Sequence, residues 1–371
     1  MLPHVPVPPP VRKAVVAALL ALVAAAFLLR LLTTRGTYLS PDEAIIAGIA
    51  AAPDLAGVLR LSTEQAHPPL YFLLLRLWAR VDASDGGLRL PSLVLGSAAV
   101  ALLFAFVRPR LGPLAALAAS ALLALSPSVV DLTSEARPYP LLLLLSTAAL
   151  ALVASPSAPL SPGRLAALGG LLVAAELTHY SGVLFAAAFL PPLLLRLVRP
   201  GTPFRSRLAL VAVAASSALT AGLLWAAHVK ALRGGAMEAR ARFGWLRYYY
   251  WQDEPFAVFL SRAAQGVFEF LLGFPVAASA LALVAFLTLA LRIRKDAETA
   301  AFLLAPFLVA FGAAALRIYP LGATRHSAWL LPATAAVLTL PLAFAGPAAA
   351  RWLVPGLVVA APLWTATAPK A

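Results

Sequence analysis

HPPLYFLLLRLWARV, residues 67–81, is the stretch on which the arrangement of this chain turns. It is apolar for little more than ten residues and carries Arg76 and Arg80, whereas a helix crossing a hydrocarbon layer needs about 20 apolar residues. It reads either as a short span or as a helix lying at the membrane surface. The choice inverts the sidedness of everything that follows.

Outward from it, the chain divides into apolar runs of roughly 14–21 residues, lengths at or near what is needed to cross a bilayer. The first is Ala14–Leu32, and the rest are Leu88–Val107, Pro113–Val130, Pro138–Ala154, Leu165–Thr178, Gly182–Val198, Leu208–Ala227, Leu271–Leu291, Thr299–Leu316, Ser327–Ala345 and Trp352–Thr367. The expected fold is therefore all-α and polytopic, with about eleven transmembrane helices in a single membrane domain covering 1–371. Composition agrees: 62% of residues are hydrophobic and 12% charged, and the mean hydropathy is +0.89. Soluble domains do not reach such values.

Charge decides the status of 67–81. If it does not span, Arg108 and Arg110, Arg164, Arg199, Arg205 and Arg207, Arg292, Arg294 and Lys295, and Arg351 all face the cytoplasm, as the positive-inside rule requires. If it spans, all of them face outward. The surface reading also gathers Asp42, Glu43, Glu135, Arg137, His179 and Arg317 to His326 on the external side. The loops 33–87, with its juxtamembrane helices, and 228–270 lie on that side too. The apolar run behind Arg12 and Lys13 is too long for a signal-peptide core and reads as a retained first helix.

Several function classes drop out. The net charge of +14 is spread over short loops with no nucleic-acid motif, so it reports topology and membrane-lipid contact instead of a nucleic-acid partner. With 0 cysteines there is no disulfide, thiolate metal site or Cys nucleophile, and no HExxH motif joins the 5 histidines. GxGxxG and Walker patterns are absent as well, which leaves nucleotide-sugar use without support.

The first external loop opens with Ser40-Pro41-Asp42-Glu43, which predicts a short helix starting at Ser40 or Asp42 with two acids in its first turn. These acids read either as a cap with a dipole-favoured carboxylate or as a catalytic base at the membrane surface. Glu176 and His179 fall at i, i+3 near the external end of a span, suiting a functional pair or a helix-locking contact. Phe243, Trp245, Tyr248, Tyr249, Tyr250 and Trp251 fit an interfacial aromatic belt or a wall for a lipid tail or sugar.

The motifs SPDEA (40–44), HPPLYFLLLRLW (67–78), LRLPS (88–92), SPSVVDLTSEARPYPLLLL (126–144) and IYPLGATRHSAWLLP (318–332) occur in an order that carries a resemblance. Together they resemble the bacterial branch of the dolichyl-phosphate-mannose protein mannosyltransferase superfamily, GT-C fold glycosyltransferases that include lipid A aminoarabinose transferases. A short form without a soluble C-terminal domain is expected. The resemblance implies an inverting glycosyltransferase that moves a hexose or pentose from a polyprenyl-phosphate donor to an unidentified acceptor (glycolipid, polysaccharide or protein) outside the cell or inner membrane. It further implies that Asp42 is the catalytic base, with Glu43 beside it.

The chemistry asks for the same parts. An acceptor oxygen must shed a proton while a lipid phosphate departs with negative charge, so a carboxylate and cations belong together. The cationic candidates are Arg137, Arg325, Lys230 and Arg233, since guanidinium forks suit phosphate. Arg137 could instead bridge Glu135 or Asp131, and Arg325 could snorkel at the interface. His67, held extended by the following prolines, either makes a structural hydrogen bond or orients substrate. His179, Glu135, Tyr139 and Tyr319, the last two from the same motifs, complete the expected substrate-binding set. No cofactor is called for, although a divalent metal would be compatible with the phosphate chemistry. Competing readings are a transporter or flippase of a polyprenyl-linked glycan and a non-catalytic membrane scaffold; the external acids and arginines favour the enzyme.

Overall fold

The computed structural model describes residues 9–155, 160–273, 282–290 and 296–343, and among these there is helix and turn but no strand. Five of its helices are long and apolar enough to cross a membrane: Lys13–Thr34, Asp85–Leu111, Phe204–Leu232, Ala297–Ala315 and Arg325–Ala343. A sixth is added if the bent pair Pro113–Leu125 and Pro127–Ser134 is one span; Tyr139–Leu152 and Ser181–Leu197 are apolar but shorter. The expected run Trp352–Thr367, part of Leu271–Leu291, and the cations Arg292, Arg294, Lys295 and Arg351 lie outside the described residues.

The first helix, α1 (Pro9–Thr34), leaves Leu20, Leu28 and Leu32 exposed. Such an outward apolar face is satisfied by lipid and not by water. After it the chain forms three short helices, α2 (Pro41–Ala50), α3 (Leu55–Glu64) and α4 (Leu70–Trp78). At 9 residues, α4 is about 13 Å long, under half a hydrocarbon layer. It buries Tyr71, Phe72 and Leu75 and exposes Leu74 and Leu77, the two-faced pattern of a surface helix. Its Arg76, out of place in a span, donates to the carbonyls of Ala50, Ala52 and Pro53 and so caps the end of α2.

The long α5 (Asp85–Leu111) starts on the Ser84 side chain and ends at Gly112, whose φ of +90° suits glycine. Next come α6 (Pro113–Leu125) and α7 (Pro127–Ser134), bent by 59° at the Ser126–Pro127 step, where a proline removes the helical N–H. Arg30 of α1, fully buried, fills that break. Its guanidinium donates to Thr133 Oγ1 at 2.7 Å, to Ala124 O at 3.2 Å and to Leu123 O at 3.4 Å, putting a cation on carbonyls that the end of α6 leaves unpaired. Gly96 of α5 makes this possible, because a Cβ there would stand 2.7 Å from Thr133 Cβ and 3.1 Å from Arg30 Nε. The direction of α7, and of the loop leaving it, is thereby set.

The bundle continues through α8 (Tyr139–Leu152), α9 (Pro162–Thr178), α10 (Ser181–Leu197) and α11 (Phe204–Leu224). At the C-terminal end of α5, Arg110 and Arg196 share Glu298, at 3.3 and 2.5 Å. Arg110, expected only as a topology signal, is therefore also a buried tie between α5, α10 and the Ala297–Ala315 helix. Within the stretch expected as a polar loop, Phe256–Leu272 is a 17-residue helix burying Phe259, Ala263, Val267 and Leu271. Gly266 lets it approach Ala323 closely, since a Cβ would lie 2.7 Å from that backbone nitrogen. The loop preceding Arg325 is thus pressed toward the bundle.

Candidate active site

Three separate pieces of chain meet over α2. Ser40 caps this helix and accepts from the Glu43 N–H, while Glu43 Oε2 accepts from the Ser40 N–H, the reciprocal capping box. Glu43 does more than cap. It is 1% exposed and takes two hydrogen bonds of 2.7 Å from Arg89 of α5 and one of 2.8 Å from the Ala136 N–H. Arg89 also donates to the Thr37 and Tyr38 carbonyls. Burial works to raise the Glu43 carboxyl, but Arg89 and the Ala136 and Ser40 amides overcome it and lower it to about 2.

Glu43 is therefore occupied on both oxygens as the pin joining α2, α5 and the 135–137 loop. Glu43 makes no pair with Arg137 among the described residues; Arg89 holds it, and Arg137 turns to Asp42. Removing one member of a buried pair strands the other, at a cost on the order of 3–5 kcal/mol. Glu43→Gln is expected to lower the melting temperature of the purified protein well below that of Asp42→Asn. Equal melting temperatures for the two variants would remove this structural role from Glu43.

Asp42, one residue earlier, points the other way and is half exposed. Its Oδ2 accepts from Arg137 Nη1 at 2.5 Å and from Arg325 Nη1 at 3.1 Å. Arg137 comes from the loop between α7 and α8, where Pro138 stops the helix, and Arg325 opens the Arg325–Ala343 helix behind the Thr324 cap. Burial pushes the Asp42 carboxyl up, but the charges of Arg137 and Arg325 outweigh it and hold it below the usual range. Glu135, 3.6 Å from Arg137, moves oppositely: burial raises it despite the arginine. Arg137 makes its ion pairs with Asp42 and Glu135, and none with Asp131, among the described residues.

Beside this charged cluster stands a wall of rings. The His179 ring lies 5.7 Å from His67, 5.1 Å from Tyr139 and 6.0 Å from His326, and Tyr319 lies 6.1 Å from His326. Arg137 stacks over Tyr139 at 5.4 Å, joining wall and cations. Among the expected residues, Asp42, Glu135, Arg137, His67, Tyr139, His179, Tyr319 and Arg325 are thus brought together around α2. Lys230 is not: it is exposed and has no ion pair with the cluster among the described residues. His179 forms no pair with Glu176, because it sits beyond the end of α9 in an extended conformation, φ −156° and ψ 144°, where helical i, i+3 spacing no longer applies. Glu176 instead accepts from Ser217.

Arg89 and His326 were not singled out from the sequence. Arg89 had one legible signal, a cation inside an otherwise apolar span. His326 adjoins Arg325 in a quoted motif, but nothing local told it apart from a helix-start residue. No group of three or more His, Asp or Glu side chains is arranged to hold a metal ion among the described residues.

The charged cluster is thus a half-exposed carboxylate flanked by two guanidinium groups, set in an all-helical bundle. Residues 66–225 match the family model described as dolichyl-phosphate-mannose-protein mannosyltransferase. The fold is similar to the crystal structure of ArnT from Cupriavidus metallidurans in the apo state, with a TM-score of 0.59 at 16% identity over 94% of this chain. It is likewise similar to the same protein bound to undecaprenyl phosphate (TM-score 0.57, 16% identity, 92% of this chain). The Archaeoglobus fulgidus oligosaccharyltransferase in complex with Zn and sulfate is a third relative in fold (TM-score 0.54, 14% identity, 95% of this chain). The chain spans 64%, 63% and 51% of the lengths of these chains, respectively. No curated protein matches the sequence significantly.

Proposed function

We propose that this protein is an inverting glycosyltransferase of the cell or inner membrane. It transfers a sugar from a polyprenyl-phosphate-linked donor to an acceptor on the external face. The observation that carries this reading is the convergence of Arg137 and Arg325 on one oxygen of Asp42. A carboxylate that neutralises two guanidinium groups in the free protein stands where a phosphate would attract both of them. When the donor phosphate takes the arginines, Asp42 is released to accept a proton. The acceptor oxygen then forms its bond to the anomeric carbon, the bond from that carbon to the phosphate oxygen breaks, and the polyprenyl phosphate leaves with the electron pair. Its charge is met by Arg137 and Arg325. The compared ArnT structure bound to undecaprenyl phosphate supports a polyprenyl phosphate as the carrier.

Lipid extracts test this directly. A strain lacking the gene is expected to accumulate one polyprenyl-phosphate-linked sugar, and the pool should return to normal with the wild-type gene but not with Asp42→Asn. An unchanged pool would overturn the reading.

The same reading places α4 at the surface and has the chain cross the membrane about eleven times. Reporters fused after Arg110 and Arg205 are expected in the cytoplasm, and reporters after Thr63 and Gly235 outside. If Thr63 and Arg110 both report the external side, residues 67–81 span and the single-faced site is lost.

A further inference from the structure

The segment from Trp225 to Tyr250 carries exposed rings and cations that the charged cluster does not use. It grows out of a span. Phe204–Leu232 is one helical run of 29 residues, about 44 Å long, against a hydrocarbon layer of about 30 Å. With its first residues at one surface, its last turns stand at headgroup level on the other. There Thr63 of α3 meets His228, Oγ1 to Nδ1 at 3.3 Å, which puts the start of the segment beside the short surface helices.

Two kinds of side chain crowd the outside of this segment. Phe243, Trp245 and Tyr248 are 67%, 55% and 75% exposed, although Leu246 between them is buried. Residues 225–250 also hold Lys230, Arg233, Arg240, Arg242 and Arg247 against a single acid, Glu238. That acid is engaged locally, accepting from the Gly234 N–H at 2.7 Å and lying 3.8 Å from Arg242. Lys230, Arg233, Arg240 and Arg247 are exposed and make no ion pair among the described residues.

The backbone beneath these side chains is fastened to the bundle. Tyr249 O accepts from the Leu321 N–H at 2.8 Å, and Tyr248 O from Arg262 Nη1 at 2.6 Å. Gln252 Nε2 donates to the Arg247 carbonyl at 3.3 Å, and Arg317 stacks over Trp251 at 4.6 Å. The rings are thus held outward by a fixed base. Large rings in water and unpaired like charges are both unfavourable, and a leaflet with negative headgroups relieves both at once. A soluble acidic glycan would answer the cations and leave the rings in water.

We propose that residues 225–250 form a docking element for anionic phospholipids of the adjacent leaflet, with Phe243, Trp245 and Tyr248 seated among the headgroups and Lys230, Arg233, Arg240 and Arg247 on their phosphates. This goes beyond the transfer reaction and does not depend on it.

The test uses the full-length protein in nanodiscs of phosphatidylcholine with or without phosphatidylglycerol. The chain has 0 cysteines, so Phe243→Cys carries an environment-sensitive fluorophore at a single position. Tyr248→Cys is the second reporter if Phe243→Cys does not fold. Acrylamide, a neutral quencher in water, and nitroxide lipids labelled near the headgroup report where the probe resides. With phosphatidylglycerol the probe is expected to be quenched by the lipid nitroxide and shielded from acrylamide. Arg240→Gln and Arg247→Gln should each lower the ratio of seated to free segment by about fivefold. Salt at about 1 M, where charges act over only about 3 Å, should lower it as well. Equal acrylamide access in both lipid compositions, or seating unchanged by either substitution, would overturn the proposal. Shielding that appears only when a soluble acidic polysaccharide is added would overturn it too, and would assign the segment to a glycan.

Discussion

Asp42→Asn is expected to lower sugar transfer by roughly 10²–10⁴-fold, the usual contribution of a general base, while leaving expression and membrane insertion intact. The substitution keeps the size of the side chain and one oxygen to accept from Arg137 or Arg325, but it cannot take the acceptor's proton. Asp42 is also half exposed, so its loss empties no core. In the free protein its carboxyl is held below the usual range, because the charges of Arg137 and Arg325 outweigh the opposing effect of burial. The acid limb of kcat/KM, which reports the free enzyme, should therefore lie below the ordinary carboxylate range. In the donor complex the arginines are drawn to phosphate, so the acid limb of kcat should sit at higher pH. Full activity in Asp42→Asn would remove the base from Asp42, and Glu135, whose carboxyl burial raises, would be the next carboxylate to replace.

The second large effect concerns the cations. Arg137→Ala and Arg325→Ala should each lower turnover by roughly 10²-fold or more, as loss of one preorganised donor to a developing anion does. Lysine should rescue only partly, since an ammonium carries the charge without the planar fork. The two positions should differ in a second respect. Arg137 is buried and stacks on Tyr139, whereas Arg325 is partly exposed, so only Arg137→Ala should also lower thermal stability. Turnover at the wild-type rate in both alanine variants would remove the phosphate role from this pair.

The membrane character and the helical runs are legible in the sequence because lipid imposes a simple demand: every backbone group must be satisfied within the helix, behind an apolar surface. The surface position expected of residues 67–81 likewise follows from length, and a 9-residue helix is what forms there. Arg76 is less legible, since its partners are backbone carbonyls some two dozen residues earlier in the chain. The candidate site divides along the same line. Asp42, Arg137 and Arg325 lie in recognisable motifs, but their meeting on one oxygen depends on Arg30 filling the α6–α7 break and on Gly266 admitting the loop before Arg325. Neither contact has a local signature. Glu43 shows the limit well: adjacent to Asp42 and chemically alike, it is set apart by Arg89, 46 residues away.

The most direct measurement uses purified protein in sealed vesicles containing a radiolabelled polyprenyl-phosphate sugar and an extract of cell-envelope acceptors. The readouts are the bond between sugar and phosphate, followed by the release of free polyprenyl phosphate, and the side of the membrane on which intact donor resides. Acceptor-dependent release of polyprenyl phosphate is expected from the wild-type protein, abolished in Asp42→Asn, with no movement of intact donor between leaflets. Transbilayer movement of intact donor without cleavage, unaffected by Asp42→Asn, would contradict sugar transfer and identify a flippase instead.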